Sequence, residues 1–172
     1  MAPKPLLDLA TIDLTRVDYD AAALDDYLPQ SHEMRQLHGV HVIDPAAGYA
    51  VGYRDVRGDE FWCRGHFPAR PVFPGVLLVE SVAQLCVFYW RHQIGIERAP
   101  GRAMLFGGIE GVKFRDAVLP GQRVIAVCKV EELKERRSTY HCQAFVEGKL
   151  VFEGMIIGLL GPAMPEIYKN GR

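Results

Sequence analysis

The longest apolar pattern in the chain is the segment GVLLVESVAQLCVFYWRHQ, which follows Pro74. Its apolar side chains fall on every face of a helix, so the pattern predicts a helix of about five turns that is buried on most sides. Proline suits the start of such a helix, because its missing N–H would have no intrahelical partner at that position. A helix of this kind needs other elements of the chain packed around it.

Apolar runs of strand length lie on both sides of this helix. Before it, GVHVI from Gly39 and AVGYRDV from Ala50 flank a turn at residues 44–48 and are typical of a β-hairpin. After it, turn-forming and charged residues separate four further predicted strands, over residues 105–114, 122–133, 138–148 and 149–160. Connections of hairpin length indicate antiparallel pairing. We therefore predict an α+β architecture, with one long central helix wrapped by a curved antiparallel sheet.

The length of the chain fits one domain with short extensions, and its net charge bears on the kind of partner it can recruit. The chain has 172 residues, and single domains typically have about 100–200. We predict an N-terminal arm over residues 1–30 with a short helix near 20–27, a single domain over 31–165 and a C-terminal tail over 166–172. The formal net charge of −1 gives no general attraction to nucleic acid or to membranes, so a partner must be recruited by a local surface.

The four cysteines and the N-terminus bear on the cellular compartment. The cysteines are scattered without the spacing of a metal site or a disulfide framework, which favours reduced thiols. The N-terminus has no apolar signal segment, and no run of about 18 apolar residues occurs. From these features we expect a soluble, cytoplasmic protein.

Candidate chemistry is concentrated in the stretch GHFPARPVFPGVLLVESVAQ, residues 65–84. His66 lies in a loop with three prolines, and Glu80 lies on the predicted helix. A carboxylate is costly to bury on a helix that is apolar on every side, so its presence points to a function. Neutral histidine can accept a proton near neutral pH, and desolvation is expected to raise the pKa of Glu80. The two residues suit the roles of a general base and a general acid.

The same stretch resembles the β-hydroxyacyl-acyl carrier protein dehydratases of the FabZ type, a family with the hotdog fold. The family pattern of Gly-His-Phe-Pro, Arg-Pro, Pro-Gly-Val-Leu and a glutamate fourteen residues after the histidine is met by residues 65–68, 70–71 and 74–77 and by Glu80. Gln84 matches the pattern too. A second block, GIEGVKFRDAVLPGQRV, resembles a later strand and turn of the family. The resemblance covers about residues 28–160.

The chain departs from the family pattern at three places. Ala69 stands where the family usually has glycine. Around Leu105 and Phe106 many relatives carry a tyrosine that gates the acyl tunnel, and no tyrosine is present here. Residues 31–37 differ from the usual first segment of the family. The resemblance therefore implies the shared chemistry but not the tyrosine gate.

The implied reaction converts a (3R)-hydroxyacyl thioester into a trans-2-enoyl thioester without a cofactor or a metal. His66 would remove the α-proton, and Glu80 would protonate the leaving hydroxyl. The amide N–H groups of Gly75 and Val76 at the start of the helix would stabilise the oxyanion, with Gln84 as a supporting residue. The residues predicted to line the substrate tunnel are Phe67, Phe73 and Phe106.

The resemblance also implies partners. The substrate would arrive on acyl carrier protein, an acidic partner with a phosphopantetheine arm, so local basic residues matter more than net charge. The basic residues flanking the site-forming segments are Arg64, Arg70, Arg91, Arg98, Arg102, Lys113 and Arg115. In this family the histidine and the glutamate of one site come from different subunits. This implies a homodimer, with a trimer of dimers as a further assembly, and an inactive monomer.

Other functions stay open at this stage. A different thioester enzyme of the same fold, either an acyl thioesterase or a coenzyme A-linked hydratase, is one alternative, because fold alone does not fix chemistry. A non-catalytic acyl-binding subunit of a secondary lipid or polyketide pathway is another. The histidine loop argues against a thioesterase, and the presence of both His66 and Glu80 argues against a non-catalytic subunit. The related dehydratase/isomerases usually have aspartate at the position of Glu80, so the resemblance implies dehydration without a second isomerisation step.

Overall fold

The computed structural model describes residues 4–95 and 101–164. Its central element is helix α2, Gly75–Ile94, which starts directly after Pro74 as the sequence predicts. Most of its residues from Leu78 to Arg91 are buried, in agreement with a pattern that is apolar on every face. Gly95 caps the C-terminal end of the helix with a positive φ of 85°, which glycine adopts more readily than other residues. A shorter helix, α1, spans Ala21–Leu24.

Six antiparallel strands form one sheet around α2. Their order is β1-β2-β4-β5-β6-β3, so β1 and β3 are the two edge strands. The α+β prediction is confirmed, and each predicted strand is present within a few residues of its expected bounds. The strands are β1 Gly39–Asp44, β2 Tyr49–Asp55, β3 Met104–Phe114, β4 Arg123–Leu133, β5 Arg137–Val146 and β6 Lys149–Leu160.

The main hydrophobic core lies between α2 and the concave face of the sheet. Trp90, Phe88 and Leu85 of the helix are fully buried there, together with residues from β4, β5 and β6. Burial of such large side chains stabilises the fold by about 1.5–3 kcal/mol for each side chain. This packing fixes the position of α2, and therefore of Glu80, relative to the strands.

Residues 4–14 cover part of the opposite face of the sheet. Leu6, Leu7, Leu9 and Leu14 pack against a second apolar cluster formed by Val51, Val127 and Phe145. Gln143 on β5 anchors this segment, because its side-chain oxygen accepts a hydrogen bond from the amide of Leu6 at 2.8 Å and its nitrogen donates to the carbonyl of Lys4 at 3.1 Å. The proposed division between an arm and a domain near residue 30 stays a prediction.

Within residues 4–95 and 101–164, no helix has the length and apolar character needed to cross a membrane.

Candidate active site

His66 lies in a loop that ties its imidazole to the backbone. The ring Nδ1 lies 2.8 Å from the carbonyl oxygen of Val72, and since a carbonyl can only accept, Nδ1–H donates this bond. The amide of His66 also donates to the carbonyl of Trp62, and the amide of Val72 donates to the carbonyl of His66, both at 2.8 Å. The Nδ1–H bond leaves the lone pair on Nε2, which is the atom that can accept a proton.

The start of α2 lies beside His66. The first intrahelical hydrogen bond runs from the amide of Leu77 to the carbonyl of Pro74 at 2.9 Å, so the amides of Gly75 and Val76 precede it and have no intrahelical acceptor. Gly75 packs closely against Phe114, because a Cβ at this position would lie 2.9 Å from the ring of Phe114, which would then have to move. The helix start is therefore an electropositive position with two amides available to an anion.

His66 and these amides line one cleft, which we call the His66 cleft. Its volume is about 630 Å³. The side chain of Val76 is 75% exposed at its surface. The residues lining the cleft include His66, Val72, Phe73, Pro74, Gly75 and Val76 from the loop and helix, and Phe114, Arg115 and Val118 from β3 and the segment after it. The cleft thus brings the imidazole of His66 and two amides without an intrahelical acceptor to the same space.

Glu80 is half-buried on α2 and is oriented by two glutamines. Its Oε1 accepts hydrogen bonds from Gln84 Nε2 at 2.8 Å and from Gln30 Nε2 at 3.3 Å. Within the described residues, no hydrogen bond reaches Oε2, so this oxygen is available to a substrate. Gln30 was not identified from the sequence, because it lies fifty residues before Glu80 and belongs to no recognisable motif.

Gln84 positions Glu80 and does not itself have a free polar atom. Its oxygen accepts from the amides of Gln36 at 2.9 Å and Leu37 at 3.0 Å, and its nitrogen donates to the carbonyl of Met34 at 2.6 Å as well as to Glu80. Both donors and both acceptor positions of the amide are therefore occupied. This favours the supporting role expected for Gln84 over direct contact with an oxyanion.

Glu80 lines a different cavity from His66, which we call the Glu80 cavity. It has a volume of about 190 Å³ and lies between α2 and strands β3, β5 and β6. No residue lines both the Glu80 cavity and the His66 cleft. The residues lining the Glu80 cavity are Gln30, Glu80, Ala83, Cys86, Val87, Met104, Leu105, Phe106, Tyr140, Ile156, Ile157 and Gly158.

The three predicted tunnel residues lie in three different environments. Phe106 lines the Glu80 cavity and is half exposed, whereas Phe73 is buried and lines the His66 cleft. Phe67 is exposed, and its ring stacks on the imidazole of His66 with centroids 4.4 Å apart. In the single chain these residues do not form one continuous channel, and their role as a tunnel stays a prediction.

Four of the predicted carrier-protein contacts are exposed near the His66 cleft. Arg64 and Arg70 lie on the loop of His66. Lys113 and Arg115 lie at and just beyond the end of β3, and both form an ion pair with Glu153. Although the side chain of Glu153 is only 13% exposed, Lys113 and Arg115 are on the surface, where a partner can reach them.

The remaining basic residues are placed differently. Arg91 is fully buried on α2, where its guanidinium donates to the carbonyls of Asp26 and Arg102, so its predicted place on a carrier-protein surface is wrong. Arg102 is half-buried. Arg98 lies outside the described residues.

A buried ion pair behind the His66 loop was not identified from the sequence. The side chain of Arg54 on β2 is 2% exposed and pairs with Glu60, whose side chain is 8% exposed. Glu60 also accepts from the indole N–H of Trp62 at 3.1 Å, and the guanidinium of Arg54 lies 5.4 Å from the ring centroid of Phe73. The pair therefore fixes the two aromatic residues on either side of His66.

The same ion pair is connected to the Glu80 side of the molecule. Arg54 Nε donates to the side-chain oxygen of Gln36 at 3.1 Å, and the amide of Gln36 donates to Gln84. A chain of hydrogen bonds thus runs from the His66 loop through Arg54 and Gln84 to Glu80. Local sequence patterns do not indicate this network, because its members are far apart in the chain.

The lowered pKa of His38, which lies next to Arg54, leads us to predict that the folded protein loses stability in acid. Burial, with a further contribution from the neighbouring Arg54 cation, lowers the pKa of His38 from 6.5 to about 4. Below pH 6.5 the unfolded chain binds a proton that the folded protein refuses, so stability falls as the pH decreases from about 6.5 to about 4. We expect His38→Gln to reduce this slope in urea unfolding measured across the pH range.

A second histidine variant controls for the loss of an imidazole. His141→Gln, at a half-buried position on β5, removes a histidine that is remote from Arg54. Equal pH slopes in the wild type and His38→Gln would contradict the assignment of this effect to His38.

The comparisons with known proteins agree with the motif and the fold. Residues 28–155 match the family model described as a FabA-like domain. The chain is 40% identical over 116 residues to the 3-hydroxyacyl-[acyl-carrier-protein] dehydratase FabZ of Lawsonia intracellularis, covering 67% of this chain and 76% of that protein. It is 35% identical over 139 residues to the enzyme of the same name from Teredinibacter turnerae, covering 80% and 94%.

Solved structures extend the agreement to the fold. The dehydratase heterocomplex ApeI:P from Xenorhabdus doucetiae superposes with a TM-score of 0.68 at 16% identity, covering 81% of this chain and 91% of the matched chain. At such a low sequence identity, the structural similarity is evidence for the shared hotdog fold only. It confirms the predicted fold class. Together with the family-model match and the two curated relatives, these findings show that the chain belongs to the FabA-like family of hotdog-fold proteins, next to the FabZ dehydratases.

Proposed function

We propose that this protein is a (3R)-hydroxyacyl-[acyl carrier protein] dehydratase, a hydro-lyase that forms trans-2-enoyl thioesters in fatty acid biosynthesis. The observation that carries the proposal is the His66 cleft, which is lined both by His66, with Nδ1 bonded to the carbonyl of Val72, and by Gly75 and Val76, whose amides have no intrahelical acceptor. This arrangement suits removal of a proton next to a thioester carbonyl. The relatives from Lawsonia intracellularis and Teredinibacter turnerae are both named 3-hydroxyacyl-[acyl-carrier-protein] dehydratases.

The proposed reaction assigns one proton transfer to each catalytic residue. His66 Nε2 takes the α-proton, and the electron pair of the broken C–H bond forms the α–β double bond as the β C–O bond breaks. Glu80, in its protonated form, gives its proton to the departing hydroxyl, so water leaves. The amides of Gly75 and Val76 stabilise the negative charge that develops on the thioester oxygen. Proton exchange with solvent then returns both residues to their starting forms.

We propose that a complete site needs two copies of the chain. In the single chain, His66 and Glu80 line separate cavities, so a substrate in either one meets only half of the catalytic groups. The edge strand β3 borders both cavities, through Phe106 and Phe114, and its exposed apolar residues require a partner surface. Those residues are Leu105, Phe106, Ile109 and Phe114. A homodimer that brings two β3 edges together would complete each site.

The proposed donor of the substrate is acyl carrier protein in the cytoplasm. The exposed cations Arg64, Arg70, Lys113 and Arg115 support this, because two lie on the loop of His66, two lie at and just beyond the end of β3, and Arg115 lines the cleft itself. Charge complementarity of this kind acts mainly on the association rate and is weakened by salt.

The number of subunits in the assembly is a separate question. Sedimentation velocity would decide between a dimer and a trimer of dimers.

The test is a turnover assay with purified protein. We expect (3R)-hydroxyacyl thioesters on acyl carrier protein to be converted to enoyl thioesters, followed by the ultraviolet absorbance of the conjugated product and by mass spectrometry. The reverse hydration of the enoyl thioester should be catalysed as well. Release of free thiol in place of enoyl product would identify a thioesterase, and no reaction on either carrier protein or coenzyme A would contradict the proposed function.

A further inference from the structure

Glu80 shares its cavity with a second polar side chain, Gln30. The other lining residues of the Glu80 cavity are apolar apart from Tyr140, whose hydroxyl interacts with that of Ser138. Gln30 and Glu80 are in contact, because Gln30 Nε2 lies 3.3 Å from Glu80 Oε1. The two polar side chains therefore mark one place in an otherwise apolar cavity, and a polar part of a ligand would bind there.

One oxygen of each of these two side chains has no hydrogen-bond partner among residues 4–95 and 101–164. In Gln30 this atom is Oε1, which is buried. In Glu80 it is Oε2, because both glutamine donors bind Oε1. A buried acceptor without a hydrogen bond costs about 1–3 kcal/mol, and native proteins contain few of them. We therefore expect Gln30 Oε1 to gain a donor when the cavity is occupied.

The hydrogen bonds to Glu80 fix the roles of its two oxygens. Gln84 must direct its nitrogen at Glu80, because the backbone amides of Gln36 and Leu37 occupy its oxygen. Gln30 adds a second donor to the same carboxyl oxygen, Oε1. Since Oε1 accepts two hydrogen bonds, the proton of the protonated acid is on Oε2. Oε2 is therefore the oxygen that can give a proton to a substrate.

The backbone of Gln30 is held in place by a guanidinium. Arg35 donates to the carbonyl oxygen of Gln30 from Nε at 3.0 Å and from Nη2 at 2.7 Å. The same guanidinium pairs with Asp25 at 2.8 Å, and the side chain of Arg35 is only 14% exposed. Gln30 is therefore fixed before a ligand binds, as a residue that orients a substrate needs to be.

We infer that Gln30 Oε1 accepts a hydrogen bond from the β-hydroxyl of the acyl substrate, while Glu80 Oε2 directs its proton at the oxygen of that hydroxyl. A hydroxyl both donates and accepts, so it can bind the two atoms at once. A 3-oxo group only accepts, and an alkyl chain does neither. Gln30 thus selects 3-hydroxyacyl chains. This role of Gln30 rests on the proposed function, because it requires Glu80 to be the acid of the same site.

The contact with Gln30 persists through the reaction. When the β C–O bond breaks, its electron pair leaves with the oxygen, which takes the proton from Glu80 Oε2 and becomes water. The water keeps its original hydrogen directed at Gln30 Oε1, and the Glu80 carboxylate accepts a hydrogen bond from the other hydrogen. Gln30 therefore touches the leaving group before and after the bond breaks, and it holds the same water for the reverse hydration.

The test compares the binding of three ligands to protein that lacks the base. In a His66→Asn background, the dissociation constants of (3R)-3-hydroxyacyl-, 3-oxoacyl- and saturated acyl-pantetheine of one chain length report binding without turnover. We expect the hydroxy ligand to bind about three- to tenfold more tightly than either of the others, as one well-formed hydrogen bond allows. If the 3-oxo or the saturated ligand bound as tightly as the hydroxy ligand, the inference would be overturned.

Gln30→Met tests the assignment of this preference to Gln30. Methionine is similar in length but has no donor and only a weak acceptor. In the same background we expect the ratio of the dissociation constants to fall toward one, while the saturated ligand binds as before. Gln93→Met is the matched control, since Gln93 is a half-buried glutamine on α2 that does not line the cavity. A preference that survives in Gln30→Met would contradict the role of Gln30.

Thermal unfolding separates this role from a structural one. Gln30→Met removes an unpaired buried oxygen and one long hydrogen bond, so we expect little change in the melting temperature. A large decrease together with weaker binding of the saturated ligand would show that Gln30 supports the fold, and would contradict the inference. The turnover assay is independent: a hydroxyl preference that depends on Gln30 without any dehydration would contradict the proposed function alone, and dehydration without such a preference would contradict this inference alone.

Discussion

Replacement of His66 by asparagine is expected to lower kcat/KM for dehydration by a factor of about 10²–10⁴, the usual contribution of a general base. Asparagine retains an N–H that can donate to the carbonyl of Val72, so the loop keeps its shape while the Nε2 lone pair is lost. Loss of activity with an unchanged melting temperature would therefore show that the substitution impairs catalysis and does not unfold the protein. A variant with more than a tenth of wild-type kcat/KM would exclude His66 as the base.

Glu80→Gln is expected to have an effect of similar size. Glutamine keeps the length of the side chain and an oxygen for the bonds from Gln84 and Gln30, but it has no carboxyl proton to give. Cys63→Ala is a suitable control for both variants, because Cys63 is a buried thiol of the same loop that lines neither the His66 cleft nor the Glu80 cavity. We expect this control to retain wild-type kcat/KM.

Truncation of Arg54 is expected to have the largest effect on stability. Arg54→Ala leaves the carboxylate of Glu60 buried without its cation and removes the group that lies over Phe73. Breaking a buried ion pair by removing one partner costs about 3–5 kcal/mol. We expect a loss of this size in the free energy of unfolding measured by urea denaturation. Activity should fall as well, because Trp62 and Phe73 would no longer hold the His66 loop.

An exposed ion pair in the same region provides the control. Arg123 pairs with Asp55, the neighbour of Arg54, but both side chains are more than 40% exposed. Exposed pairs typically contribute about 0–1 kcal/mol, so Arg123→Ala should cost much less than Arg54→Ala. Equal losses for the two variants would show that the burial of the Arg54–Glu60 pair is not what makes it important.

The sequence predicted the elements of the fold well because their signals are local. The apolar pattern after Pro74 marked the start of α2 at the observed residue, and turn residues such as Gly148 marked the strand boundaries. The covering of the outer sheet face was not predictable in this way. Leu6 and Leu7 give no periodic signal, and their anchor, Gln143, lies more than 130 residues away along the chain.

The candidate site was predictable where a compact motif contained it. His66, Gly75 and Glu80 lie within fifteen residues of one another, so a single motif identified them all. Gln30 and Arg54 could not be found, because their roles depend on side chains that only the folded chain brings to them. Arg91 was misplaced for a related reason: a cation at the end of an apolar helix is usually exposed, but here backbone carbonyls accept its hydrogen bonds inside the protein.

The most direct test of the account is complementation between two inactive variants. His66→Asn and Glu80→Gln would be co-expressed with different affinity tags, and the doubly tagged dimers would be compared with each variant alone. If one site takes His66 from one subunit and Glu80 from the other, each mixed dimer keeps one intact site of two. Random mixing of subunits then gives about a quarter of wild-type kcat for the whole mixture, because about half of the dimers are mixed.

The account predicts that dehydratase activity reappears in the doubly tagged fraction, at about half the wild-type kcat per dimer for a symmetric two-site dimer. Activity no higher than that of the separate variants, in mixed dimers whose formation is confirmed by the two tags, would contradict a site shared between subunits.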